Sequence, residues 1–119
     1  MPYFLYIDRI KGDATEENHQ GEIELTSVMF PGGSPGNTGP GHFKVQEVEV
    51  SKQHDSASTA LFKASNSGEM FKFMILDMVR GNSTARMTMQ LVALGPMSVN
   101  QGGVEIFNLN FETMTIEHL

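Results

Sequence analysis

Phe43–Leu76, FKVQEVEVSKQHDSASTALFKASNSGEMFKFMIL, is the stretch whose reading decides the fold. It reads as strand, short helix, strand. Ala57, Ala60, Leu61 and Ala64 recur at helical spacing and predict one narrow apolar face. Asp55 or Ser56 is placed to act as N-cap, and Gly68 stands where a left-handed residue would stop the helix. About three turns of helix are unstable alone in water, so this one has to lie against a sheet. On either side the period switches to two. Val48 and Val50 alternate with Glu47 and Glu49, whereas MFKFMILDMV is almost continuously apolar, as in a strand covered on both faces.

Working outward, Tyr3–Ile7 predicts a first strand, and the polar run DRIKGDATEENHQ (8–20) a loop. Gly21–Phe30 predicts a strand with Ile23, Leu25 and Met29 on its buried face. Pro31–Gly41, PGGSPGNTGPG, holds three prolines and five glycines and predicts an exposed, extended loop. Phe43–Lys52 changes apolar phase near Gln46-Glu47, which predicts a β-bulge. Gly81-Asn82-Ser83 reads as a turn. Thr84–Leu94 alternates, with Ala85, Met87, Met89, Leu91 and Ala93 on one face. Met97–Val99 is a candidate short strand. Val104–Leu119 alternates through Phe107, Leu109 and Phe111, then slips to Met114 and Ile116, predicting a second bulge near Glu112-Thr113. Two bent long strands predict a curling sheet, as in a barrel. The fold class expected is mainly β: a small barrel of two curved sheets with one helix on its side, forming one domain over residues 1–119.

Bulk properties exclude several functions. The 119 residues carry 14 acidic and 8 basic side chains, a net charge of −6, and the basic ones form no cluster in sequence. A nucleic-acid partner needs clustered Lys and Arg, so none is expected. There is no cysteine, hence no disulfide and no thiolate metal site. No apolar run approaches membrane-spanning length, so membrane insertion is not expected. MPYFLYIDRIKG lacks the basic-then-apolar layout of a signal peptide, so any export is expected to need no cleaved N-terminal signal. Most of the nine methionines are expected to fill the core.

The chemical motifs are weak. No Lys follows the glycines of 31–41 in the manner of a phosphate-binding loop, and a strand rather than a helix follows them. Asp13, Glu16, Glu17 and His19 do not follow a calcium-loop order and read as a solvated acidic loop. His42, His54 and His118 each lack a second ligand at helical spacing. No Ser lies in a G-x-S-x-G context. Asn82-Ser83-Thr84 matches a glycosylation acceptor in form only. No catalytic residue, metal or cofactor is expected.

One resemblance goes further. DRIKGDATEENHQGEIEL resembles the opening of the haemolysin-coregulated proteins (Hcp) of type VI secretion systems. VQEVEVSKQHDSASTALFKASNSGE resembles their bent strand, helix and Ser/Thr-Gly stop. NLNFETMTIEH resembles their closing strand, and the matches follow the family order over nearly the whole chain. The resemblance implies a non-enzymatic, structural tube subunit. It implies a homohexameric ring, rings stacked into a tube, and contact with type VI sheath, spike and effector proteins, with effectors carried in the lumen. It implies assembly in the bacterial cytoplasm and secretion to the outside or a target cell. The family's stacking loop corresponds to Pro31, Gly32, Gly33, Ser34, Pro35, Gly36, Asn37, Thr38, Gly39, Pro40 and Gly41, here unusually rich in Gly and Pro. The chain is shorter than the usual member, with tight loops after Arg80 and Val99. The rival readings are a phage-type tail-tube subunit and a monomeric β-barrel that binds a small ligand.

Overall fold

The computed structural model describes residues 2–30 and 47–119. The elements run β1 (Tyr3–Ile7), β2 (Ile23–Leu25), β3 (Ser27–Met29), β4 (Glu47–Gln53), α1 (Ser58–Ser67), β5 (Met70–Arg80), β6 (Ser83–Leu94), β7 (Ser98–Val99) and β8 (Val104–His118). All strand pairs are antiparallel and join one sheet, in the order β2-β1-β5-β6-β8-β4-β3, with β7 added to β8.

The two ends of that order, β2 and β3, are consecutive in the chain, with Thr26 alone between them. Leu25 pairs with Tyr3 on one side of the corner, and Ser27 pairs with Ser51 on the other. The Thr26 N–H donates to the Ser51 carbonyl at 2.7 Å. The sheet therefore curls until its two edges meet in one segment. The corner also reverses the phase: Ile23 and Leu25 are buried, but Met29 is 61% exposed, against the expectation that all three share a face.

A second phase change crosses the middle of the sheet. Phe71, Val92 and Phe111 lie in one cross-strand row, and Met74, Met89 and Met114 in another. Each strand travels three residues between these rows, so both rows turn inward only because every strand reverses phase there. Leu91 takes the strain, with φ at 54°. A left-handed backbone costs a non-glycine residue about 1–2 kcal/mol. Leu91 is accordingly turned outward and Val92 inward, which corrects the strict alternation read over Thr84–Leu94. Pairing resumes in the same register beyond Leu91 and Glu112, so no residue is inserted. The expected bulge near Glu112-Thr113 is a shared kink instead. The one expected near Gln46-Glu47 reaches outside the described residues.

The helix closes the concave side. Ala57, Leu61 and Ala64 join the same core as Val48, Val50, Phe107 and Leu109, while Ala60 is exposed, so the buried face is narrower than its spacing predicts. The N-cap is Ala57, with no side-chain cap, rather than the expected Asp55 or Ser56; Asp55 accepts the Ala57 N–H at 2.9 Å just ahead of the helix. Gly68 ends it at φ 70°, its N–H on the Ala64 carbonyl. The β5 strand is covered on both faces only in part: Leu76 and Asp77, on opposite faces, are both buried, whereas Met70 and Phe73 are exposed. Met74, Met87 and Met89 are fully buried, as expected of core filler. Among the described residues no helix is long and apolar enough to cross a membrane.

Leu61 is 0% exposed and sits where the helix meets the sheet. Leu61→Ala is expected to destabilise the subunit by about 2–5 kcal/mol, read from chemical denaturation. An unchanged midpoint would mean that the helix does not contribute to the core.

Candidate functional site

The loop proposed from sequence as an assembly contact, Pro31–Gly41, lies outside the described residues. Its described stems are informative. β3 and β4 pair antiparallel, with Val28 opposite Val50 and Met29 opposite Glu49. The two strands that flank it in sequence are thus neighbours in the sheet, and Met29, at the end of β3, is exposed.

Two groups of buried charge lie elsewhere, and sequence reasoning missed both. The first sits under residues 8–22, a strap that runs from β1 across the outer side of the sheet. Gly12 lets the strap cross itself. A Cβ there would come within 2.5 Å of the Glu22 carbonyl oxygen. The Gly12 N–H donates to the Gly21 carbonyl and the Ala14 N–H to the Glu22 carbonyl, at 2.9 and 3.0 Å. His19, read from sequence as part of a solvated acidic loop, is instead buried. Its ring stacks on Phe4 at 4.3 Å between centroids. Its Nε2 lies 2.9 Å from Asp77 Oδ2, and its Nδ1 meets the Glu16 carboxylate. Arg86, opposite Asp77 on β6, grips that carboxylate with two N–H donors at 2.8 Å each. Burial works against ionised Asp77, but the bonds from Arg86 and His19 outweigh it and hold its pKa below the ordinary value. Asp13 anchors the strap a second time, accepting the Ser56 hydroxyl at 2.6 Å and the Ser56 N–H at 3.0 Å.

The second group lies at the helix entry. Lys52 shares the inward phase of Val48 and Val50 and is 0% exposed. Its Nζ donates to Glu105 Oε1 at 2.8 Å, to Ser58 Oγ at 3.0 Å and to the Gln53 carbonyl at 2.9 Å, with Asp55 Oδ1 also 2.8 Å away. His54 Nδ1 lies 3.0 Å from the other Glu105 oxygen, so this histidine is exposed but not isolated. Burial raises the Glu105 pKa, and Lys52, His54 and Ser58 together bring it below the ordinary value. Every buried side-chain polar atom among the described residues has a partner. Both groups are thus internally satisfied staples: one ties the strap to the sheet, the other ties the helix start to β4 and β8. The described residues hold no group of three or more metal-ligating side chains.

Comparison with known proteins agrees with this architecture. The family described as "Type VI secretion system effector, Hcp" matches residues 4–118. The chain is similar to the crystal structure of Hcp2 from Salmonella typhimurium at 26% identity, covering 100% of this chain and 87% of that one, with a TM-score of 0.82. Hcp1 from Salmonella typhimurium is similar at 24% identity, covering 99% and 87%, with a TM-score of 0.80. A type VI secretion system effector from Yersinia pestis shares the fold at 15% identity, covering 98% and 96%, with a TM-score of 0.78. No match was found among curated protein sequences.

The two charge groups generate separate expectations. Lys52→Ala leaves Glu105 buried without its cation and is expected to cost about 3–5 kcal/mol in denaturation. Lys52→Met combined with Glu105→Gln removes both charges and is expected to cost less than the single change. The acid side follows from linkage. Asp77 and Glu105 have folded pKa values below their ordinary 3.8 and 4.5, so their stabilisation is present above those values. It is lost as pH falls through the lower folded values. Glu22, raised chiefly by burial, opposes this in part. The melting temperature is expected to fall as pH drops below about 4.5, and to fall less in Glu105→Gln.

Proposed function

The chain belongs to the Hcp family of type VI secretion tube proteins, and from that premise we propose that its subunits close into a ring of six. The rings stack into the inner tube that a contractile sheath drives toward a target, with the spike at its tip and effectors carried in the lumen. The tube is assembled in the cytoplasm and exported. The role is structural rather than catalytic, and residues 1–119 act as one tube domain. The observation that carries this reading is the family match over residues 4–118, to a chain whose sheet curls back onto itself. A head-to-tail contact that closes gives a ring, and repetition of a second contact gives a tube.

Within this reading Pro31–Gly41 makes the contact between stacked rings. Glycine permits close approach of one backbone to another, and proline lowers the entropy lost on docking. The flanking strands pair with each other through Ser27–Met29 and Glu49–Ser51. Replacing residues 31–41 by a short Gly-Ser turn is expected to leave circular dichroism and ring mass by light scattering unchanged. Tube formation by electron microscopy, and secretion, are expected to fail. A shortened protein that still formed tubes and was exported would overturn the loop's role. Wild-type protein that stayed monomeric at micromolar concentration across salt conditions would overturn the ring.

A further inference from the structure

His19 is the one buried histidine among the described residues, and it lies between two carboxylates on different parts of the chain. Asp77 is set in β5, buried and held twice by Arg86. Glu16 belongs to the strap, is partly open to water, and also accepts the Asn18 N–H at 3.0 Å. Both ring nitrogens therefore face acceptors. Only the imidazolium carries a proton on each nitrogen and can donate to both. The neutral ring has one N–H and one lone pair, and a lone pair facing a carboxylate repels it.

We propose that His19 is a proton-operated latch, which as the imidazolium ties the Glu16–His19 turn to Asp77 and as the neutral ring keeps Asp77 and releases Glu16. The release goes to Glu16 because its half-exposed carboxylate can rehydrate, whereas Asp77 is buried and bound by Arg86. The neighbouring charges are all placed. Glu16 and Glu22 come from the strap, Asp77 from β5, Arg86 from β6, and Glu117 stands opposite Arg86 on β8; β1 supplies only Phe4. Burial alone would lower the His19 pKa, but the bonds to Glu16 and Asp77 outweigh it, so the folded value lies above the ordinary 6.5. The clasp is thus fully present below 6.5 and is lost as pH rises through the raised value. Asp13 is already ionised throughout that range and keeps its hold on Ser56. The strap stays tethered at the helix entry and, through His19, at Asp77, while the Glu16 end of its far turn comes loose. The exposed outer surface of the subunit then differs on the two sides of the transition, with the core untouched.

The test is nuclear magnetic resonance on the intact chain, from about pH 5.5 to about pH 9. The His19 ring signals are expected to titrate above the ordinary histidine value. The Gly21 and Glu22 amides, which donate to the Ala14 and His19 carbonyls, are expected to lose about tenfold protection from hydrogen exchange over the same range, after correction for the intrinsic rise with pH. The Leu76 amide in β5 is expected to keep its protection. His19→Gln, which retains a donor for Asp77, is expected to abolish the pH dependence at Gly21 and Glu22. Glu16→Gln, which keeps the ring and its burial, is expected to lower the His19 midpoint and flatten the strap response. The latch is overturned if His19 titrates while the strap amides do not respond, or if His19 does not titrate in this range. It is equally overturned if Leu76 loses protection in parallel, because the change is then global.

Discussion

Closure at Thr26 is the constraint on which the rest of this structure depends. A sheet whose first and last strands are joined by a single residue must bring those strands together, whatever lies between them. Five further strands complete the path, and a flat sheet of that width would leave its edges far apart at nearly 5 Å per strand. The curl has to be supplied along the way. The Thr26 corner supplies part of it, and the shared kink through β5, β6 and β8 supplies another. The strained Leu91 is intelligible in this light. Its left-handed backbone costs about 1–2 kcal/mol, and in return the Phe71–Val92–Phe111 row and the Met74–Met89–Met114 row both face the concave side. Methionine suits a row next to a kink, because an unbranched thioether accommodates irregular space that a branched side chain does not.

The same constraint explains which parts of the fold were legible in the sequence. Tyr3–Ile7 and the helix with its Gly68 stop depend on local propensity and period, and they stand where the pattern puts them. Met29, Leu91 and Ala60 were assigned to the wrong side because phase was extended through a point where closure reverses or narrows it. Val92 and Leu94 carried the signal for the β6 reversal: both are apolar, and both fall out of phase with Met87 and Met89. The pairings of the buried ion groups were not legible. His19 lies 58 residues from Asp77, and Lys52 lies 53 from Glu105. Such pairs become visible only once strand register is known. A lone Lys after two valines in inward phase was nevertheless a usable hint, since Val48, Val50 and Lys52 share one face.

These ion groups bear on specificity more than on stability. Taking charges from water costs several kcal/mol each, and a well-packed apolar cluster often does as well. Their value here is positional. Leu61 and its alanine neighbours would accept a helix shifted along the sheet, because apolar contact is not directional. Lys52, meeting Ser58, Asp55 and Glu105 at about 3 Å, accepts one helix start only. Asp77, shared by Arg86 and His19, does the same for the strap.

Removing Lys52 and Arg86 to internal duty has a consequence for assembly. The chain carries a net charge of −6 with 8 basic residues, and these two are committed to carboxylates of their own subunit. Each copy added to the ring proposed above meets the field of the copies already present, and that repulsion grows with ring size. That leaves six of the 8 cations for pairing between subunits, against 14 acidic side chains. On that balance the proposed ring relies more on apolar and hydrogen-bonded contacts than on charge pairing, and repulsion between neighbours is screened by salt to a reach of about 8 Å at physiological strength. Ring closure by this chain is thus expected to become easier as ionic strength rises, the opposite of an assembly held by ion pairs. Sedimentation of the purified protein across a salt series distinguishes the two, and dissociation at high salt would mean that cations on this surface do pair with a neighbour.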